Sequence, residues 1–221
     1  APQGYLQGLQ KLCNKNGILL ILDEVQTGFG RTGRWAAYEH YGIVPDLSTW
    51  AKSMGSGMPI GAVIGNAAVM DKTVKGTLGG TYLGNPVACA AAIATMEYME
   101  KIDINAKGER VGKKVLNFFR KLKKEISAIG DVRGLGAMVA IELVKDGDSQ
   151  KPNGDLAKEL IQACSKRGLL LITAGVDGNV VRVLSPLVIS SKQLTDGLNI
   201  IREELMRLCG SQKSLRNKKG V

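Results

Sequence analysis

An α/β fold followed by a smaller α+β part is what this sequence predicts, and three observations predict it. The continuously apolar run 18–22 and a second strand-like segment, 47–51, end abruptly at Asp23 and Lys52, as parallel strands of one sheet do. Their ends lie about 30 residues apart, the length of one βαβ unit. Beyond about residue 126 the rhythm changes to short strands and helices that alternate without that spacing.

The elements follow in order. Tyr5, Leu6, Leu9, Leu12 and Cys13 recur at helical spacing, Lys15 stands in the last turn, and Gly17 suits the position just past a helix end. Residues 18–22 are continuously apolar, which predicts a strand buried on both faces. The loop 27–34 leads into a short helix through Ala36, Ala37, Tyr38 and Tyr41. Pro45-Asp46 then turns the chain into a second, parallel strand over 47–51 that ends at Lys52. A glycine-rich loop over 53–59 precedes a third strand at 60–64. Residues 76–84 are again glycine-rich. Asn85 is a good N-cap and Pro86 suits the first helical position, so a helix is expected to start there and to run to about residue 126 with an interruption near Gly108.

In the second part, Gly130, Gly134 and Gly136 lead into a strand over 138–143. Residues 155–167 read as a helix closed by Gly168. Residues 169–173 and 180–184 read as strands, and Ser190 with Gln193 forms a capping box for a helix through Leu208. The expected organisation is a domain portion at 1–85, a helical connection at 86–126, a small α+β domain at 127–210 and a disordered basic tail at 211–221.

Composition narrows the function. Hydrophobic residues make up 44% and charged residues 23%, ordinary for a globular protein that buries a core. No apolar run is long enough to span a bilayer and no signal-peptide pattern opens the sequence, so a cytoplasmic or other reducing compartment is expected, with no membrane partner. Cys13, Cys89, Cys164 and Cys209 are too widely spaced for a zinc site and too few for a disulfide scaffold. They read as buried or partly buried thiols. His40 is the only histidine, which leaves no His-rich metal site, and no metal is expected. The net charge of +10 raises the possibility of a basic nucleic-acid-binding module. Much of the excess lies between Lys107 and Lys124, however, where basic residues sit between apolar ones at helical spacing. That is a solvated helix face, and no nucleic-acid partner is expected.

Asp23 and Lys52 carry the chemistry. Parallel strands place their carboxyl ends on one sheet edge, and ligands bind outside that edge. A carboxylate and an amine meeting there suit pyridoxal phosphate catalysis. The lysine holds the cofactor aldehyde as a Schiff base, and the carboxylate keeps the pyridine nitrogen protonated. The freed amine then serves as a general base. Glycines at 55, 57, 79 and 80 allow close backbone approach to the phosphate. Each residue also has a plainer meaning: an Asp after a strand caps or turns, a loop Lys is solvated, and Thr81 is a turn hydroxyl. Arg182 within an apolar strand is a structural ion-pair partner or a ligand for a carboxylate. A dinucleotide-binding oxidoreductase is the competing class, because Gly28-Phe29-Gly30-Arg31-Thr32-Gly33 matches its fingerprint. Asp23 and Glu24 at the mouth of that loop would repel a pyrophosphate, and the glycines do not open the helix.

The ordered set Asp23-Glu24-Val25-Gln26-Thr27-Gly28-Phe29-Gly30-Arg31-Thr32-Gly33, Pro45-Asp46, Ala51-Lys52-Ser53, Gly79-Gly80-Thr81-Tyr82, Gly84-Asn85-Pro86 and Gly130-Asp131-Val132-Arg133-Gly134-Leu135-Gly136-Ala137-Met138 resembles the class III aminotransferases, most of all their 4-aminobutyrate branch. The resemblance implies the C-terminal part of the large domain of a pyridoxal phosphate (PLP) fold type I, aspartate aminotransferase-like transferase, plus its small α+β C-terminal domain. It implies Lys52 as the Schiff-base lysine and Asp23 as partner of the ring nitrogen. Gln26 would bond the cofactor's phenolic oxygen, and Val25 would pack on the ring. Thr81 would reach the phosphate of the neighbouring subunit of a homodimer, and Arg182 would grip a substrate carboxylate. The implied reaction transfers an amino group from 4-aminobutyrate to 2-oxoglutarate by a ping-pong route, with acetylornithine, ornithine or other ω-amino acids as alternative donors. Family members carry a long preceding portion with the phosphate cup and the ring-stacking aromatic residue, so this chain is expected to hold only part of a site.

Overall fold

The computed structural model describes the backbone of residues 1–218 and the side chains of residues 1–210. The chain forms two compact units, Ala1–Gly108 and Glu109–Val221.

The first unit opens with helix α1 (Tyr5–Asn16), closed by Gly17 at a left-handed φ of 65° as its sequence foretells. Three short strands follow: β1 (Ile21–Asp23), β2 (Leu47–Trp50) and β3 (Ala62–Gly65). β1 and β2 are parallel, and β3 runs antiparallel to β2. The link between β1 and β2 contains a 3-10 turn at Ala37–Tyr41 in place of a full crossover helix.

The expected strand at 18–22 is shifted and one-sided. Ile18 N–H still bonds Cys13 of the helix end, and Leu20 N–H bonds the Asp46 side chain, so the parallel ladder begins only at Ile21. One face of the sheet turns Leu22 and Trp50 toward apolar clusters built on Leu20, Cys13 and Ile43, and on Phe29, Ala36 and Trp50. The opposite face carries Ile21, Asp23, Leu47, Thr49 and Val63, with Ile21 and Val63 more than half exposed. Burial on both faces is therefore not what this unit contains. Period-two alternation puts the apolar run half in and half out.

A short helix α2 (Ala67–Met70) follows β3. Helix α3 (Pro86–Lys101) starts as expected, with Asn85 Oδ1 accepting the N–H groups of Val87 and Ala88 and Pro86 in the first turn. The interruption comes earlier than Gly108. Asp103 adopts a φ of 48° and its Oδ1 accepts Ala106 N–H, which ends one helix and caps α4 (Ile104–Glu125).

The second unit holds a five-stranded antiparallel sheet, made of β4 (Ile129–Leu135), β5 (Met138–Lys145), β6 (Asp148–Pro152), β7 (Ile172–Ala174) and β8 (Val180–Val183) in the order β4-β5-β8-β7, with β6 also on β5. The glycine-rich lead-in at 130–136 is itself strand, because pairing with β5 along Ile129–Leu135 satisfies its backbone. Helix α5 (Gly154–Lys166) is capped by Asn153. The Ser190–Gln193 box opens helix α6 (Ser191–Lys218) as its sequence predicts. Phe119, Ile141, Leu143, Leu156, Leu160, Val181 and Leu205 are fully buried at the centre of this unit. The helix passes its expected end at Leu208, so the disordered tail expected at 211–221 meets helical backbone through Lys218, where Gln212, Lys213, Leu215 and Arg216 are good helix formers. Residues 219–221 lie outside those described.

Candidate active site

Asp23 is the last residue of β1, and Lys52 follows β2 by two positions. Because the strands are parallel, both stand at one end of the sheet, as the sequence predicts. Asp23 Oδ1 accepts two hydrogen bonds, from Val25 N–H at 2.9 Å and from the Thr49 hydroxyl at 3.1 Å. Oδ2 receives none from the described residues. The carboxylate is thus anchored through one oxygen while the other stays open at the sheet edge.

Lys52 opens a 3-10 turn, Lys52–Met54, and holds a left-handed backbone with φ 50°. Such a conformation is uncommon for a residue with a side chain and persists where surrounding structure imposes it. Here Met54 N–H bonds Ala51 carbonyl and Gly55 N–H bonds Lys52 carbonyl, closing the turn behind the exposed amine.

Glu24, next to Asp23, is buried with 3% exposure. Its carboxylate accepts the Thr27 hydroxyl and, at 3.0 Å, Tyr38 N–H. Burial, with the Glu24 and Glu39 carboxylates nearby, pushes the Tyr38 phenol above its ordinary value. Glu24 ties the glycine loop to the 3-10 turn and so fixes the chain that leaves Asp23. In that loop Gly28 N–H bonds Glu24 carbonyl, Phe29 N–H bonds Trp35 carbonyl and Gly30 N–H bonds Arg34 carbonyl. These amides are used internally and cannot cradle a phosphate. A side chain at Gly28 would lie 2.5 Å from the Trp50 ring, so this glycine serves packing. The dinucleotide reading loses its physical basis.

The remaining candidates are placed separately. Val25 is half-buried and Gln26 is exposed, both on the turn after Asp23. Thr81 is exposed in the same unit, on a cavity of about 370 Å³ lined by the 59–61 and 80–85 loops, and bonds neither Asp23 nor Lys52. Arg182 belongs to the second unit, on β8 opposite Ala140 and Ile172. It points to the less buried side of that strand while Val181 is fully buried, which is how an arginine fits an apolar run. Sequence reasoning missed Thr49 and the role of Glu24. Thr49 becomes visible once the strands are known to be parallel with Asp23 in register with it.

The family model for class III aminotransferases matches residues 1–205. The chain is 46% identical over 201 residues to a 5-aminovalerate aminotransferase of Pseudomonas aeruginosa, covering 91% of this chain and 47% of that protein. It is 45% identical over 199 residues to a 4-aminobutyrate aminotransferase of Escherichia coli, covering 90% of this chain and 47% of that protein. The chain therefore spans about half the length of the curated relatives it matches. A solved transaminase from the marine bacterium Virgibacillus superposes with a TM-score of 0.90 at 29% identity, covering 96% of this chain and 50% of that one. The fold is PLP fold type I over this portion. With the family model spanning all but the last residues and the relatives agreeing along the same stretch, the chain belongs to the class III aminotransferases.

Proposed function

We propose that this chain supplies the lysine and carboxylate of a pyridoxal-phosphate-dependent aminotransferase that moves an amino group from an ω-amino acid to 2-oxoglutarate. The observation that carries the reading is the Asp23 carboxylate, held by Val25 and Thr49 through Oδ1 with Oδ2 open on the sheet edge where Lys52 follows. An anion fixed in this way suits a protonated ring nitrogen, and an exposed primary amine suits an aldehyde, so the donor set fits the cofactor.

Bound pyridoxal phosphate would supply an electron sink when the substrate gives up the proton on its amine-bearing carbon. Asp23 Oδ2 holds the proton on the ring nitrogen. Lys52 Nζ would hold the cofactor through its aldehyde, and the free amine would move the substrate proton. Gln26 would bond the phenolic oxygen, Val25 would pack on the ring, and Arg182 would hold a substrate carboxylate. Thr81, exposed and bonded to neither Asp23 nor Lys52, suits a phosphate held across a homodimer. With 4-aminobutyrate as donor, the two half-reactions give succinate semialdehyde and then glutamate. Acetylornithine and ornithine stand further off as donors. The 5-aminovalerate relative makes that amino acid the second candidate, and rates with 4-aminobutyrate and 5-aminovalerate separate the two.

The test is covalent trapping. Protein mixed with pyridoxal phosphate and reduced with borohydride is expected to carry the label on the Lys52 peptide, and Lys52→Ala is expected to remove it. A label on another lysine of folded protein would sink the assignment.

A further inference from the structure

We infer that Thr49 is a positioning residue that aims Asp23 at the cofactor nitrogen, an inference that rests on the function proposed above. Asp23 and Thr49 are register partners in the parallel pair, so both side chains stand on the same, open face of the sheet. The Thr49 hydroxyl bonds Asp23 Oδ1 at 3.1 Å across 26 residues of sequence. A threonine hydroxyl commonly bonds a nearby backbone group. This one is instead directed at a carboxylate on the neighbouring strand. Its β-branch narrows χ1 and so fixes the position of the hydroxyl oxygen.

Val25 N–H approaches the same oxygen at 2.9 Å from the turn that follows the strand. One donor from each side holds the carboxylate against rotation about its own bond. Oδ2 is thereby directed outward before any ligand arrives, so little reorganisation accompanies binding. Val25 contributes a main-chain donor that no substitution short of proline removes. Thr49 is the one member of this arrangement whose contribution lies in its side chain.

Two substitutions test this, read by two independent measurements. In Thr49→Val the shape is nearly kept and the donor is lost; in Thr49→Ser the donor is kept. Hydrogen exchange of the Val25 amide, measured without cofactor, is expected to speed up about fivefold in the valine variant and to stay near wild type in the serine variant. Pyridoxal phosphate affinity, measured by absorbance titration, is expected to fall about tenfold with valine, with a shifted absorption maximum of the bound cofactor, and to recover with serine. In an Asp23→Asn background, Thr49→Val is expected to produce no further loss. Unchanged Val25 exchange in the valine variant would overturn the positioning role. So would a valine defect that serine fails to correct, since that reports general damage. No cofactor binding by the wild-type chain would accord with a site of which this chain holds only part, while the exchange comparison still decides whether Thr49 holds Asp23.

Discussion

Neighbouring carboxylates in one turn have opposite fates. Asp23 is exposed and half-bonded, whereas Glu24 is buried and bonded through both oxygens. Sequence marks both as charges at a strand end, but only packing separates the one that faces a ligand from the one that holds the loop. The thiols divide in a similar way. Cys13 and Cys164 are buried, Cys89 and Cys209 less so, in line with their reading as core and half-core residues. Burial, with the Glu204 carboxylate adding and Arg167 opposing, pushes the Cys164 thiol up to about 11. Its thiolate is then about a hundredfold scarcer at neutral pH than at the ordinary value of 9.0. Alkylation of native protein is expected to modify Cys89 and Cys209 first and to leave Cys164 unlabelled, as peptide mass mapping will show. A folded-state thiol raised in this way favours folding fully below pH 9 and loses that contribution as pH rises toward 11.

Elements keep their identity but shift their limits. Caps are local, so Gly17, Asn85 with Pro86, and Ser190 with Gln193 act where their residues place them. Strand limits depend on partners, so β1 starts three residues late and the lead-in at 130–136 becomes strand β4. Helix α4 shows the same dependence at Gly112, where an added Cβ would lie 1.8 Å from Gly136 carbonyl oxygen. Gly112→Ala is expected to destabilise the protein by about 2 kcal/mol or more, since backbone cannot swing aside. Gly8→Ala on α1, with nothing within 4 Å, is expected to stabilise by about 0.5–1 kcal/mol. Chemical denaturation of the two variants checks both signs. Arg167 bridges Glu203 and Glu204 from the end of α5 to α6, and Arg207 closes the other side of Glu204. Those pairs explain part of the basic surplus as structural.

At the scale of the molecule, each unit has its own apolar interior and the first also shows an open sheet face. Ile21 and Val63 are 56% and 53% exposed on it, flanking Asp23 and Thr49. Apolar groups clustered beside a candidate site favour self-association at high concentration. Replacing both by threonine keeps strand preference and is expected to lower light scattering of concentrated protein without loss of folded signal in circular dichroism. A scattering curve unchanged by the pair would remove this face as the cause. Among the described residues no helix is long and apolar enough to cross a membrane.

Sequence alone determined the chemistry-bearing types and their order: a helix cap at Gly17, a carboxylate at one strand end, a lysine at the next, and further helix caps at Asn85 and Ser190. These are encoded locally, in runs and turns of a few residues. Tertiary structure alone decided that β1 has one open face, that the glycine loop spends its amides on itself, and that Thr49 stands beside Asp23. Those facts rest on register between segments far apart in the chain. A one-residue slip in pairing would send the Thr49 hydroxyl to the other face of the sheet.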